Sequence, residues 1–301
     1  MQEICPDAEK PAVIRSFLFV PGDSERKLEK ASGVGADALI VDLEDSVTAD
    51  ARPAARELAR DFINGKDKIW VRINPTDSID ALFDLQAVMP SAPAGIVLPK
   101  PGSADDAMRL AMTLDELEST HGIAPGSTRI LPLCTERPRA LFSLESYVGA
   151  TPRLAGLSWG AEDLSAALGA KTNRDAAGNW LPPYELARSL CLLAAAAAEV
   201  PAFDTVFTDF QDTEGLARYA SNAARDGFTG MLAIHPAQVE TINSAFSPTA
   251  GEIERAERIV ALFEDNPGAG VLGLEGEMID RPHLVQARRI IALATELRKA
   301  K

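Results

Sequence analysis

The sequence predicts a (β/α)₈ barrel followed by a C-terminal helical extension. Eight short apolar runs follow one another along the chain, nearly all separated by a helical pattern. The runs are almost continuously apolar, as strands buried on both faces of a parallel sheet are. Eight such units in roughly 250 residues is the size of that barrel. A doubly wound open sheet is the alternative. It would need fewer strands, and no GxGxxG follows the first run.

Taken in order, the first run is SFLFVPGD, from Ser16; Asp23 or Ser24 can cap the helix in SERKLEKAS, which Gly33 and Gly35 close. ALIVDLED, from Ala38, is followed by the helix ADARPAARELARDFI, with Ser46 or Thr48 as its cap. KIWVRINP, from Lys68, ends at Pro75 before a helix near IDALFDLQAVM. AGIVLPKP, from Ala94, precedes a helix in DDAMRLAMTLDELEST. RILPLCTE, from Arg129, and LAGLSWGAED, from Leu154, are joined by a helix through RALFSLESYV. FDTVFTD, from Phe203, precedes a helix in EGLARYASNAARDG, and GMLAIHP, from Gly230, precedes QVETINSAF. The barrel thus spans residues 15–246. Residues 166–183 exceed a minimal barrel and read as a lid, being polar and bearing Gly and Pro. The extension, residues 247–301, reads as a helix (EIERAERIVALFED), a glycine-rich linker (NPGAGVLGLEGEMID) and a last helix (LVQARRIIALATELRKA). Apolar helices outside the barrel must be covered, and a neighbouring subunit is the expected cover, which makes the protein a homo-oligomer.

Composition narrows the function. A net charge of −14 repels a nucleic-acid backbone. No apolar run is long enough to span a bilayer, and the first ten residues lack the pattern of a signal peptide. Cys5, Cys134 and Cys191 form no CxxC pair, which points to a reducing compartment, the cytoplasm, and away from a disulfide frame. His121, His235 and His283 lack HxxxH or HxH spacing, so a histidine-based zinc site is not expected.

The C-terminal strand ends carry the chemistry in such folds. Read off in order, they present Asp42, Glu44 and Asp45; Arg72 and Asn74; Lys100; Glu136; Glu162 and Asp163; Asp209; and His235. Glu136 and Asp163 close consecutive apolar runs. Two carboxylates with no histidine nearby form a hard oxygen site that suits Mg²⁺; the plainer alternative is that each caps the helix after it. Strand alternation sends Asp42 and Asp45 to opposite sides, so one of them is a structural hydrogen-bonding group.

The motifs RSFLFVPGDSERKLEKA, DLEDSV, VRIN, LPKP, GAEDL and GFTGMLAIHPAQV, in this order, resemble the citrate lyase β-subunit-like family of CoA-ester lyases, within the HpcH/HpaI aldolase/citrate lyase superfamily. The likeness runs from Arg15 to about Ala294, and the C-terminal GEMIDRP resembles the malyl-CoA and citramalyl-CoA lyase branch. The resemblance implies a Mg²⁺-dependent barrel (Mn²⁺ as substitute) that assembles as a trimer or hexamer. It implies that Glu136 and Asp163 ligate the metal, with Glu44 and Asp45 behind them and Asp45 acting through water. It implies that Arg72 contacts the substrate carbonyl, that Glu136, Ile234 and His235 contact substrate, and that Phe19, Arg26 and Lys30 contact CoA. Asp280 matches the catalytic acid/base, which the extension delivers to a neighbouring subunit's site. Arg15, Arg26, Lys27 and Lys30 are read as one cationic cluster for the CoA phosphates.

The expected activity is cleavage or formation of a 3-hydroxyacyl-CoA such as malyl-CoA or citramalyl-CoA, with an acyl-CoA and a 2-keto acid as the other side of the reaction. A thioesterase on the same substrates, a class II aldolase without CoA and a non-catalytic CoA-ester-binding paralogue are the alternatives. Two departures from the family's usual pattern motivate the last. Arg137-Pro138 stands where small residues follow the metal glutamate, and Met231 stands where a lysine follows GFxG. The missing cation is expected to leave a carboxylate near strand eight free or absent.

Overall fold

The structure, a computed structural model, describes residues 13–299. Cys5 and the first ten residues, considered above for a signal peptide, lie outside the described residues. Eight parallel strands form the barrel: β1 Ser16–Pro21, β2 Ala38–Asp42, β3 Ile69–Arg72, β4 Gly95–Leu98, β5 Arg129–Pro132, β6 Leu157–Ser158, β7 Ala202–Asp204 and β8 Gly230–Ala233. They hydrogen-bond in the order 5-4-3-2-1-8-7-6. The ring closes between β5 and β6, where Ala155 N donates to Ile130 O (2.9 Å) and Cys134 N donates to Ser158 O (2.8 Å). Closure excludes the open-sheet alternative and leaves the barrel itself without an edge strand.

The interior follows from the two-residue pleat. Phe17, Ile40, Trp70, Val97, Leu131, Phe203 and Leu232 meet in one core cluster. Phe17 packs edge-on against Trp70 and Phe203, with ring centroids 5.2 and 4.9 Å apart. Gly95 makes room for Trp70, since a Cβ there would lie 2.3 Å from the indole ring. Two residues beyond this layer, the same inward parity presents Phe19, Asp42, Arg72 and Ile234 at the barrel mouth.

Helices α1 Glu25–Ala31, α2 Arg52–Ile63, α3 Ile79–Val88, α4 Ala104–His121, α5 Ala161–Leu168, α6 Pro182–Ala197, α7 Thr213–Asp226 and α8 Val239–Ala245 follow the strands. Helix α4 shows the local logic: the Ser103 hydroxyl accepts from Asp105 N at one end, and Gly122 takes the left-handed conformation (φ 67°) at the other. The expected helix between β5 and β6 is instead a 3₁₀ segment, Pro138–Tyr147. There the Ser146 hydroxyl is tied to Ser143 O, three residues back, a spacing that suits the tighter turn. The alanine-rich stretch near Cys191 is the second half of α6. Residues 166–183, read as a lid, comprise the end of α5, a largely exposed loop and the start of α6. In the loop a bridge joins Arg174 to Trp180, the Arg174 guanidinium lies 3.4 Å from the Trp180 ring centroid, and Trp180 packs on Trp159 at 5.1 Å. Among the described residues no helix is long and apolar enough to cross a membrane.

A buried ion pair ties α4 to the loop before β6. The Glu118 carboxylate receives Arg153 Nη1 and Nη2 (2.8 and 2.6 Å) and the N–H groups of Gly126 and Thr128. Burial alone would raise its pKa, but Arg153 and the two N–H groups outweigh it and hold Glu118 down to about 2, from an ordinary value of 4.5. A depressed carboxylate stabilises the fold above its ordinary pKa, and that contribution is lost as pH falls from there through about 2. Urea titrations at pH 6 and pH 2.5 are expected to show an acid loss on the order of 3 kcal/mol that Glu118→Gln lacks.

Residues 244–299 belong to a second compact unit. It holds α9 Ala250–Glu264, the antiparallel pair β9 Val271–Leu274 and β10 Glu277–Asp280, and α10 Arg281–Lys299, around a core of Ala256, Ile259, Ile279 and Ala287. The glycine-rich linker expected here is therefore a β-hairpin. Its two-residue turn is Glu275-Gly276, both at positive φ (55° and 85°), which matches the twist of the flanking strands.

Candidate active site

A pocket of about 430 Å³ opens at the C-terminal strand ends. Phe19, Asp42, Asp45, Arg72, Glu136, Trp159, Asp163 and Ile234 are among the side chains that line it. Arg72 is fixed first. Its Nε and Nη2 donate to the two oxygens of Asp42, both at 2.7 Å, and its guanidinium lies 4.8 Å from the Phe19 ring centroid. Asp42 is the structural hydrogen-bonding member of the Asp42/Asp45 pair, but the two are not sent to opposite sides: β2 ends at Asp42, so its alternation does not reach Asp45, and both line the pocket. The Asp42 carboxylate also accepts the N–H groups of Glu44 (3.0 Å) and Ser46 (3.2 Å), which shapes the turn after β2. Burial works against the Asp42 charge, but Arg72 and these donors hold its pKa below the ordinary carboxylate range.

Lys100 binds the acidic groups together. Its ammonium lies 2.6 Å from Glu44 Oε1, 3.1 Å from Asp45 Oδ2 and 3.2 Å from Asp163 Oδ1. Its backbone N–H donates to Glu136 Oε2 at 2.6 Å. Glu136 is 3% exposed, and the segment that follows it, Pro138–Tyr147, has Arg137 as its N-cap and no side-chain cap, so Glu136 does not cap it as the plainer alternative allowed. Burial pushes its pKa well above the usual range, and the charges of Asp163 and Glu44 push it further. Burial also raises Glu44, whose Oε2 accepts no hydrogen bond although Arg72 Nη1 stands 3.1 Å away.

Not all of the barrel's other expected site residues line this pocket. Arg26 and Lys30 are exposed on α1 and do not line the pocket. The His235 ring stacks on Phe210 (4.8 Å), and its Nδ1 accepts Ala237 N; Ile234 takes the pocket wall. Asp280 lies in the second unit, at the end of β10, with its Oδ1 2.5 Å from His283 Nδ1. Arg15 does not join the α1 cations. It precedes β1, at the other end of the strand, and its side chain forks onto Asp37 (2.8 and 2.9 Å). Asp209 lies beyond β7, where its carboxylate accepts the N–H groups of Gln211 and Asp212.

The residue that closes β7 is Asp204, which the strand-end reading missed. It is fully buried and receives Trp159 Nε1 (2.7 Å), the Tyr219 hydroxyl (2.9 Å) and Arg188 (2.8 Å). Through Trp159 it fixes one pocket wall. Asp204 is also in register with Met231. The carboxylate beside the missing strand-eight cation is therefore neither free nor absent, because Arg188 of α6 neutralises it. Arg137, the other departure, pairs with Asp77 at 2.7 Å and does not line the pocket.

Fold and mouth together define a barrel enzyme with its chemistry at the C-terminal strand ends. The HpcH/HpaI aldolase/citrate lyase family matches residues 15–236, and the chain belongs to this family of lyases. It is 36% identical over 288 residues to a (3S)-malyl-CoA thioesterase of Cereibacter sphaeroides, covering 93% of this chain and 94% of the relative. It is 34% identical over 286 residues to the citrate lyase subunit beta of Haemophilus influenzae, covering 93% and 96%. Among solved structures, CitE from Mycobacterium tuberculosis in complex with magnesium, acetoacetate and coenzyme A superposes with a TM-score of 0.79 at 33% identity, covering 94% of this chain and 99% of that one. A citrate lyase beta subunit from the same organism, complexed with oxaloacetate and magnesium, gives 0.68 at 34% identity, covering 79% and 98%.

Magnesium, the metal of these family structures, fits the donor set here. Among the described residues no cluster of three or more His, Cys, Asp or Glu forms a ready-made cage. Mg²⁺ does not need one, since it keeps several waters and takes one or two carboxylates plus substrate oxygens. The chemistry of Glu136, which is buried, and of Asp163, whose charge acts on it, is compatible with such a pair.

Proposed function

We propose that the protein is a Mg²⁺-dependent carbon–carbon lyase that cleaves or forms a 3-hydroxyacyl-CoA such as malyl-CoA or citramalyl-CoA, with a 2-keto acid and an acyl-CoA as the partners. The observation that carries this reading is the pairing of the buried, charge-starved Glu136 with an arginine that Asp42 holds rigid in the same pocket.

Glu136 and Asp163 would hold the metal. When bound, Mg²⁺ supplies Lewis acidity to the substrate oxygen that becomes the keto-acid carbonyl. Breaking the C–C bond leaves negative charge on the thioester oxygen, which Arg72 can stabilise at no reorganisation cost because Asp42 already fixes it. Asp280 would exchange the proton at the α-carbon in the site of a neighbouring subunit, and His283 holds its carboxylate from one side. Arg26, Lys27 and Lys30 offer exposed positive charge to the CoA phosphates, and Phe19 gives an apolar wall. The exposed Val271, Met278 and Val285 of the second unit supply apolar surface for a trimer or hexamer. Cys134 and Cys191 are free with their sulfurs 3.7 Å apart, which suits a reducing, cytoplasmic setting.

A second reading, thioester hydrolysis, is favoured by the 36% identity to the (3S)-malyl-CoA thioesterase. A coupled assay offering malyl-CoA and citramalyl-CoA side by side separates the two. Keto acid without free thiol is the lyase result; free thiol without keto acid makes the protein a thioesterase.

The approach of Gly160 to Glu136 adds a test within the site. A Cβ at 160 would lie 2.5 Å from Glu136 Cγ. Gly160→Ala is expected to displace that carboxylate and lower turnover about 100-fold, with the thermal transition still cooperative. Undiminished turnover would show that the position of Glu136 is not critical.

A further inference from the structure

We propose that Lys100 is the resident counter-cation of the carboxylate site, and that its ammonium and a divalent metal are thermodynamic antagonists there. This inference rests on Glu136 and Asp163 being the metal-holding pair. Five carboxyl groups, those of Asp42, Glu44, Asp45, Glu136 and Asp163, gather around two cations. Arg72 is committed to Asp42 by its forked pair. Lys100 alone of the two reaches Asp163, at 3.2 Å, while also holding Glu44 at 2.6 Å and Asp45 at 3.1 Å.

The backbone at this residue is held in an unfavourable form to achieve it. Lys100 stands between Pro99 and Pro101 yet has a φ of 50°, in the left-handed region that a non-glycine residue rarely takes. That conformation aims its N–H at Glu136 Oε2 (2.6 Å) while its side chain reaches the carboxylates of Glu44, Asp45 and Asp163. One residue thereby sets the position of Glu136 and offsets the charge of Asp163. Two cations that share the Asp163 carboxylate repel each other, and the half-buried setting screens them poorly. Metal entry must therefore act against the ammonium. The four-carbon stem lets that ammonium move off Asp163 and keep Glu44, while the N–H stays on Glu136. Lys100 is in this sense a positioning residue: it keeps the site assembled before metal arrives and sets how tightly metal is held.

The test is a titration of the full chain with Mn²⁺, with free ion followed by electron paramagnetic resonance. Lys100→Gly removes the ammonium and suits the left-handed backbone, so it is the primary variant; Lys100→Met is the second. Both are expected to bind Mn²⁺ about tenfold more tightly than the unaltered protein. Lys100→Arg, which keeps the charge, is expected to stay within about threefold of it. Glu136→Gln is the control for the underlying reading and is expected to lose the site. If the Gly and Met variants bind no more tightly than the unaltered protein while Glu136→Gln loses binding, the antagonism is wrong and the metal reading stands. An Arg variant that binds as tightly as the Gly variant also overturns the antagonism, because charge would not be the cause. Mn²⁺ binding that survives Glu136→Gln overturns both.

Discussion

Glutamine in place of Glu136 is expected to cut turnover about a thousandfold and to raise, not lower, the melting temperature of the metal-free protein. Both effects have one cause. The carboxylate is 3% exposed, its one backbone donor is Lys100 N, and Asp163 and Glu44 add negative charge nearby. A buried charge with so little compensation weakens the fold unless a cation arrives. Glutamine keeps the shape and can still accept from Lys100 N, but it carries no charge and is a poor metal ligand. The loss of the proposed Lewis-acid site would be worth several kcal/mol of barrier, hence the thousandfold figure. The gain in the metal-free melting temperature is expected to be about 2–4 °C for a chain of this size. Calorimetry in EDTA, run beside steady-state kinetics in Mg²⁺, checks both halves. A lower melting temperature together with intact turnover would mean that Glu136 is an ordinary structural acid.

Arg72→Met is expected to carry the largest stability cost. Removing the guanidinium leaves Asp42, 2% exposed, without its forked partner and strips positive charge from Glu44. Breaking a buried pair on one side costs roughly 3–5 kcal/mol, because the remaining charge stays buried. Adding Asp42→Asn removes that stranded charge and is expected to recover most of the stability. It is expected to restore no activity, since the role proposed for Arg72 at the thioester oxygen stays unfilled. Chemical denaturation of the two single variants and the double variant gives the coupling directly. Recovery of turnover in the double variant would show that Arg72 serves only to neutralise Asp42. No recovery of stability would show that the cost lies in lost packing against Phe19.

The strands were legible because each is buried on both faces and so reads as an unbroken apolar run. The inward placement of Arg72 and Asp42 follows from the same two-residue parity as Trp70 and Ile40. The hairpin of the extension was not legible, because its turn is Glu275-Gly276 rather than Asn-Gly, and a glutamate at positive φ carries no sequence signal. Asp204 was passed over because β7 stops after three residues, whereas its apolar run continues to Phe207. A lone acid inside that run was the available sign of a buried hub. Lys100 was visible as a strand-end cation. Its left-handed backbone was not, because the two flanking prolines argue against that conformation. Asp280 is legible as a residue but not as a site, since its proposed role depends on a second copy of the chain.

The most direct measurement is keto-acid release from malyl-CoA and citramalyl-CoA by metal-stripped protein as Mg²⁺ is titrated in. The account predicts no release before metal is added. With metal, keto acid appears in equal amount with acyl-CoA, and Glu136→Gln does not respond. Keto acid released at an undiminished rate by the stripped protein, or an unchanged Mg²⁺ response in Glu136→Gln, would contradict it.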